Sequence, residues 1–229
     1  MTHLPDPDPL MSDPYSNPDE LFDVLDSTGR PTGFVKRRAD VHRDGDWHRA
    51  FHCWVLTEHQ GIPALLLQRR GALKDTSPSL LDVTVGGHYG HGETLRDVVR
   101  EAEEEIGRAV TLEELIPLGT RSTVGERDSG VVDREIQDVF LWRTTAPLEA
   151  YRPQPVELTS LERVTVADLL LLLRGGVVDR IPCRVLLPNG DQKDGWVTQD
   201  EFVPTQDRYF LRIAAMADQA SRGYPIPVL

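Results

Sequence analysis

Short apolar runs separated by turn residues dominate the first half of the chain, a pattern that predicts β-strands. The first run starts at Leu21 and ends in a turn over residues 27–33. Two longer runs, Ala50 to Thr57 and Ala64 to Arg70, predict a hairpin. A further run from Leu81 to Val85 predicts a strand that leads directly into a glycine-rich loop.

At Leu95 the spacing of the apolar positions changes from that of a strand to that of a helix. Gly107 then stands where a helix of this length would end. The residues that share helical spacing are Leu95, Val98, Val99, Ala102 and Ile106. The pattern predicts one amphipathic helix from Leu95 to Ile106.

Three glutamates of this helix, Glu101, Glu104 and Glu105, fall within about 100° of arc, away from the apolar stripe. Like charges at this spacing cost about 0.2–0.5 kcal/mol per pair, and a solvated face is the usual explanation. The glycine-rich loop in front of the helix favours another explanation. Carboxylates together with a backbone carbonyl of Gly86 or Gly87 suit a hard divalent cation. We expect Mg²⁺, with Mn²⁺ as the alternative ion.

The second half of the chain alternates strands and helices less regularly. Residues 177–203 are ambiguous apart from a turn at Asn189-Gly190. The remaining predicted elements are strands at Ile116 to Thr120, Ile136 to Thr144 and Leu161 to Val166, and helices at Ala167 to Leu173 and Phe210 to Ala217. We predict a disordered leader over residues 1–18, a catalytic domain over 19–176, and an extension over 177–229 that packs on the same domain.

Composition narrows the classes of partner. The chain has 229 residues and a formal net charge of −12, which argues against binding a nucleic acid polymer through its backbone. Its two cysteines are too few for a disulfide framework and favour a cytoplasmic protein with reduced thiols. No apolar run approaches the roughly 20 residues of a membrane span, so no membrane partner is expected. A homodimer is an open alternative to a monomer.

The glycine loop and the glutamate helix together resemble the box of the Nudix hydrolases, G-x5-E-x7-R-E-U-x-E-E-x-G-U, where U is apolar. Gly87 and Glu93 match its first part, and the segment from Arg100 to Gly107 matches its second part. Two departures stand out. Six residues, not seven, separate Glu93 from Arg100, and Arg108 occupies a position that is usually apolar. The shortened spacing is expected to affect the placement of Glu93.

The resemblance implies a Nudix α/β/α sandwich, with a mixed sheet between helices, that hydrolyses a diphosphate linkage in a small molecule. It implies metal ligands at Glu101, Glu104, Glu105 and the carbonyl of Gly87. A pair of Arg100 with Glu93 is expected to hold the loop against the helix.

Members of this family differ in the position of the general base. The downstream candidates are Glu135, at a strand start, and Glu157, after a proline-rich loop, and Glu104 is a third candidate within the box. We rank Glu135 slightly above Glu157.

Beyond the box, the chain resembles the branch that contains type I isopentenyl-diphosphate isomerase and its hydrolase relatives. In that branch, residues matching His48, His88, Asp133 and Glu135 bind a metal, and His42 approximates a further ligand. Arg70 and Lys74 match positions that hold diphosphate.

Two residues depart from the isomerase pattern. Gly86 replaces the cysteine that isomerases need, and Glu101 replaces a common arginine. Hydrolysis is therefore favoured over isomerisation. An isomerase-like enzyme and a non-catalytic nucleotide-sensing module remain as alternatives.

Overall fold

The computed structural model describes residues 17–74, 76–126 and 132–229. Within these ranges eleven strands form one sheet: β1 Leu21–Leu25, β2 Pro31–Arg37, β3 Trp47–His59, β4 Ile62–Arg70, β5 Leu81–Asp82, β6 Val85–His88, β7 Leu115–Glu126, β8 Val132–Arg143, β9 Leu158–Thr165, β10 Arg180–Leu186 and β11 Gln192–Thr198. The α-helices of the same ranges are α1 Arg38–Asp44, α2 Leu95–Val98, α3 Glu101–Ile106, α4 Val166–Arg174 and α5 Tyr209–Ser221. The predicted leader lies outside the described residues except for Asn17 and Pro18.

The long strand β3 is the centre of the sheet. It pairs in parallel with β8, and antiparallel with β4 and β6. Because successive side chains of a strand point to opposite faces, Phe51 and Cys53 enter one core while Trp54 and Leu56 enter another. Helices α2 and α3 cover the first core, and α4 and α5 cover the second. The predicted α/β/α sandwich with a mixed sheet is confirmed.

The single helix predicted from Leu95 to Ile106 is wrong, because the structure divides it into α2 and α3. At the junction the backbone N–H of Arg100 donates to the carbonyl of Asp97, and that of Ala102 donates to Val99. Such bonds between residues three apart complete a turn in about 3.0 rather than 3.6 residues. Apolar spacing does not distinguish this tightened turn from a continuous helix.

Helix α1 was not predicted, and it brings His42 towards the sheet. Its Val41 packs with Phe22 and Val24 of β1 in a small core of their own. The helix ends at Gly45, whose φ of +67° closes the last turn. The chain then enters β3 with His48 already close to α1.

The C-terminal residues extend the sheet and cover its second core. Strands β10 and β11 form a hairpin around the predicted turn, where Gly190 has a φ of +89°. Strand β10 pairs with β9, so the hairpin continues the sheet of the preceding residues. Helix α5 buries Phe210, Ile213 and Ala217 against that sheet.

Candidate active site

Residues of strand β6 contact two groups of acidic side chains. At Gly87, an added Cβ would lie 2.6 Å from the Cδ atom of Glu101, so only glycine leaves room for this carboxylate. The backbone N–H of Gly86 donates to Oε2 of Glu105 at 3.1 Å. Next along the strand, His88 contacts Glu135 of β8. One short strand therefore touches both groups.

The first group, the box carboxylates, consists of Glu101, Glu104 and Glu105 of α3. Glu105 is only 6% exposed, and its burial, together with the charge of Glu101, raises its pKa well above the usual range. Burial also raises the pKa of Glu101 to about 7, despite the opposing charge of Arg100. A carboxylate with a raised pKa lacks compensating positive charge. These oxygens fit a hard divalent cation, which would supply that charge.

Arg100 contacts three glutamates, two of them on α3 and one on the loop before α2. Its guanidinium nitrogens lie 2.8 Å from Oε1 of Glu93, 3.4 Å from Oε1 of Glu101 and 3.5 Å from Oε1 of Glu104. Glu93 in turn accepts the backbone N–H of Gly90 at 2.8 Å. The expected contact between Arg100 and Glu93 is present. Glu104 is the most exposed of the box carboxylates, which leaves its oxygens accessible from solvent.

The short spacing between Glu93 and Arg100 does not separate the two side chains. The tightened turn between α2 and α3 brings Arg100 back to Glu93 with one residue fewer than the family pattern provides. The shortened spacing was expected to affect the placement of Glu93, but Glu93 still reaches Arg100.

The two predicted phosphate-binding cations lie at the end of β4, where Arg70 is the last residue of the strand, and on the loop that follows, which contains Lys74. Lys74 forms an ion pair with Glu157, and both side chains are partly buried. Glu157 also contributes to the electrostatic environment of Glu101 and Glu105. Arg70 has a different role in the structure, because its guanidinium binds Thr76 and Asp82 and so holds this loop.

The second group, the histidine–carboxylate cluster, consists of His42, His48, His88, Asp133 and Glu135. Nε2 of His48 lies 3.5 Å from Oδ1 of Asp133, and Nε2 of His88 lies 3.0 Å from Oε1 of Glu135. Ligand atoms of the three histidines lie within 4.8 Å of one another, as do those of His48 with the two carboxylates. Nitrogen and oxygen donors in this arrangement fit a transition metal or zinc.

Arg38, which the sequence did not single out, sets the protonation of the cluster. Its NH1 lies 3.1 Å from Nδ1 of His88. Arginine can only donate, so Nδ1 accepts and Nε2 carries the proton of the neutral ring. Burial and the charge of Arg38 lower the pKa of His88 to about 3. Coordination through Nε2 would therefore require the ring proton to move to Nδ1, where Arg38 now donates.

Glu135 differs in charge state from the box carboxylates. Burial works against its charge, but the hydrogen bond from His88 and the neighbouring histidines together outweigh burial and hold its pKa well below the usual range. Its second oxygen accepts a hydrogen bond from Nε2 of Gln137 at 2.5 Å. Sequence reasoning also missed Gln137, since one glutamine in a strand carries no motif.

Comparisons with known proteins agree with this geometry. The NUDIX domain family model matches residues 46–182. An uncharacterized Nudix hydrolase of Clostridium acetobutylicum is 31% identical, with 84% of this chain and 94% of that protein covered. An isopentenyl-diphosphate Delta-isomerase of Brevibacterium linens is 35% identical, with 66% of this chain and 79% of that protein covered.

A solved structure supports the fold alone. A crystal structure of a Deinococcus radiodurans protein has a TM-score of 0.50 and 23% identity, and covers 69% of this chain and 91% of that one. Among the helices of the described ranges, none is both long and apolar enough to cross a membrane. The family match and the relative that spans most of the chain are decisive. The chain belongs to the Nudix family and is a hydrolase of a diphosphate linkage in small molecules.

Proposed function

We propose that the chain carries out this hydrolysis with divalent cations, Mg²⁺ or Mn²⁺, held by the box carboxylates and the carbonyl of Gly87. The observation that carries the proposal is the pair of acids Glu101 and Glu105. Both contact β6, and both have raised pKa values although Arg100 opposes the rise at Glu101 and Lys74 opposes it at Glu105. Buried acids in this state are costly unless a cation neutralises them.

Bound divalent cations would polarise the diphosphate, offset its charge in the transition state and make an attacking water more acidic. The protein must then hold the diphosphate in line and accept the proton of the water. Water attacks phosphorus, the bond to the bridging oxygen breaks, and the bridging oxygen leaves with the second phosphate. Glu101 and Glu105 are fixed for this task by Gly87 and Gly86.

We assign the general base to Glu157, which reverses the order predicted from the sequence. Glu157 lies within electrostatic range of Glu101 and Glu105, and Lys74 is its ion-pair partner. Both oxygens of Glu135, by contrast, already accept hydrogen bonds from His88 and Gln137. A carboxylate held in this way is less able to reach a water at the box.

Lys74 is proposed to contact the substrate phosphate. Its position beside Glu157 places an ammonium group next to the box carboxylates, where a flexible cation can move from a carboxylate to a phosphate. Arg70 supports this function indirectly by holding the loop through Thr76 and Asp82. We propose a nucleoside diphosphate derivative or a related organic diphosphate as substrate. The two free, buried cysteines support a cytoplasmic location.

A substrate panel tests the proposal. The full chain, freed of metal and then supplied with Mg²⁺ or Mn²⁺, is incubated with nucleoside diphosphate derivatives and prenyl diphosphates, and the phosphate-containing products are identified. We expect metal-dependent cleavage of at least one compound and loss of turnover in Glu104→Gln. Glu103→Gln is the matched control, because Glu103 is an exposed neighbour on the same helix. Equal turnover of wild type and Glu104→Gln would contradict the assignment.

The histidine–carboxylate cluster favours a second candidate function, an isomerase-like reaction on isopentenyl diphosphate. This candidate draws on the position of His48, His88 and Glu135 and on the similarity to the Brevibacterium linens isomerase. Gly86 stands against it, because this strand offers no thiol at that position. Product analysis separates the two functions, since isomerisation rearranges the carbon chain without cleaving the diphosphate.

A further inference from the structure

The C-terminal residues reach the histidine–carboxylate cluster through a continuous chain of polar side chains. Asp207 lies just before α5 and accepts two hydrogen bonds from Arg121 of β7, at 2.8 and 3.0 Å. NH1 of Arg121 also donates to Oε1 of Gln137 at 2.5 Å, and Nε2 of Gln137 donates to Oε2 of Glu135 at 2.5 Å. Hydrogen bonds thus connect four side chains from three segments that are distant in the sequence.

The direction of this chain is fixed by the chemistry of arginine. Arg121 can only donate, so the amide of Gln137 must present its oxygen to Arg121. The amide nitrogen is then left to face Glu135, to which it donates. The opposite orientation would place a carbonyl against the carboxylate and two donors against the guanidinium. Arg121 therefore sets the orientation of Gln137.

We propose that Asp207, Arg121 and Gln137 form a positioning relay through which the C-terminal segment orients Glu135 as a ligand of a cation in the histidine–carboxylate cluster. With Oε2 held by Gln137, Oε1 of Glu135 is directed at His88 and the centre of the cluster. Side chains that orient a metal ligand in this way commonly set its affinity. The proposal goes beyond the proposed function, because it concerns the histidine–carboxylate cluster and not the box, and cation binding at the cluster can be observed without substrate.

Asp207 is needed because Arg121 is only 8% exposed. A buried guanidinium that lost its carboxylate partner would seek another one, and Gln137 and Glu135 are next along the chain of contacts. Asp207 keeps Arg121 from competing for the oxygens of Glu135. The ion pair between Asp207 and Arg121 thus keeps the oxygens of Glu135 available to the cluster and keeps Gln137 in position.

Tyr209 fixes the start of α5 where the relay begins. The guanidinium of Arg121 stacks over its ring at 4.2 Å, and its hydroxyl accepts Nε1–H of Trp54 at 2.9 Å. The same hydroxyl lies 3.0 Å from Nδ1 of His52 on β3. These contacts hold Asp207 at a constant distance from the sheet, so the relay is rigid at its outer end.

The test measures Co²⁺ binding to the full chain by visible absorption, in the absence of substrate. His48→Asn identifies the part of the signal that comes from the cluster. Asp207→Asn leaves Arg121 without its ion pair, and the double variant Arg121→Met/Asp207→Leu removes both charges, so that no buried guanidinium remains. Asp218→Asn is the matched control, since Asp218 pairs with Arg222 on the exposed side of α5.

We expect Co²⁺ affinity at the cluster to fall about tenfold or more in both relay variants, with an altered absorption band. The control should match wild type, and the double variant should keep the urea midpoint of wild type. Wild-type Co²⁺ affinity and spectrum in the double variant would overturn the relay, as would a wild-type protein without a signal that His48→Asn removes. A chain that binds Co²⁺ as expected but cleaves no diphosphate would contradict the proposed function alone.

Discussion

The two acidic regions beside β6 have opposite charge states, although residues of the same short strand touch both. In the box, Glu101 and Glu105 are buried without enough positive charge, and their pKa values are raised. In the cluster, Glu135 is equally enclosed, but hydrogen bonds from His88 and Gln137 stabilise its charge. Burial alone does not decide the state of a carboxylate. The hydrogen-bond donors and charges around the carboxylate decide whether it is ionised.

This difference separates a region that needs a cation from one whose carboxylate charge is already stabilised by hydrogen-bond donors of the protein. In the box, Glu105 accepts the backbone N–H of Gly86, and Arg100 lies beside Glu101 and Glu104, yet the pKa values of Glu101 and Glu105 stay raised, so an external cation is the missing partner. The cluster contains its own donors, and a cation there must displace the proton that His88 shares with Glu135. We therefore expect the box to govern hydrolysis and the cluster to respond to metal more weakly.

After the loss of turnover in Glu104→Gln, the largest effect is expected from Glu105→Gln. This substitution keeps the shape of the side chain but removes the charge that a cation requires, and the loss of several kcal/mol of charge stabilisation corresponds to about a 10³-fold lower kcat. Steady-state hydrolysis with saturating Mg²⁺ measures the effect, with Glu103→Gln as the control. A drop of less than tenfold would place the reaction away from Glu105.

The next effect distinguishes the two candidate bases. Glu157→Gln should lower kcat about 10²-fold, at the low end for loss of a general base, because the amide cannot accept the proton of water. Glu135→Gln should lower it much less, since both of its oxygens are engaged within the cluster. Parallel hydrolysis assays on the two variants decide the matter. A larger loss in Glu135→Gln would restore the order predicted from the sequence.

A smaller effect is expected from Gly87→Ala. The new Cβ would lie 2.6 Å from Glu101, whose flexible side chain would move rather than the backbone. We expect about 30-fold slower hydrolysis, since displacement of a catalytic group by about 1 Å costs up to 10²-fold. The urea midpoint should change little. Gly125→Ala, where the nearest atom is 3.7 Å away, is the control and should stay at the wild-type rate.

The smallest effect concerns stability against pH in the metal-free protein. Glu101 has a pKa of about 7 in the folded chain, against an ordinary value of 4.5. The folded state therefore binds the proton more tightly, so its contribution lowers stability as pH rises between these values. As the pH rises from 5 to 7.5, the free energy of unfolding of Glu101→Gln should increase by about 2 kcal/mol relative to wild type, because most of the range between 4.5 and 7 is crossed at about 1.36 kcal/mol per pH unit.

Urea unfolding in the presence of a chelator measures this difference. Mg²⁺ should reduce it, because the cation replaces the proton in the wild-type protein. The cluster changes stability with pH in the opposite direction. Because the folded state lowers the pKa of His88 and favours its neutral ring, stability is lost as pH falls from about 6.5 towards 3. A difference between Glu101→Gln and wild type that is independent of pH would remove the contrast between the two regions.

The sequence predicted features that depend on residues close together in the chain better than features that depend on contacts between distant segments. The box carboxylates share one helix, so periodicity places them together without knowledge of the fold. The break at Arg100 escaped prediction because its apolar neighbours keep helical spacing across a tightened turn. Residues 177–203 remained ambiguous because β11 is largely exposed and shows little apolar alternation.

Contacts between distant segments could not be predicted from spacing. Arg121 and Asp207 are 86 residues apart, and Arg38 and His88 are 50 apart. No local pattern of charge brings these pairs together, since the sheet and α5 create the proximity. The same holds for the outer part of the cluster, where family resemblance supplied His48 and His88 but not the side chains that orient them.

The most direct measurement of the central claim is the number of protons released when Mg²⁺ binds. Calorimetric titration near pH 6.5 in buffers of different ionisation enthalpy gives this number for wild type and for Glu101→Gln/Glu105→Gln. The raised pKa values of Glu101 and Glu105 predict release of about one to two protons per wild-type chain and none for the double variant. Mg²⁺ binding without proton release, or equal release by both proteins, would contradict the account.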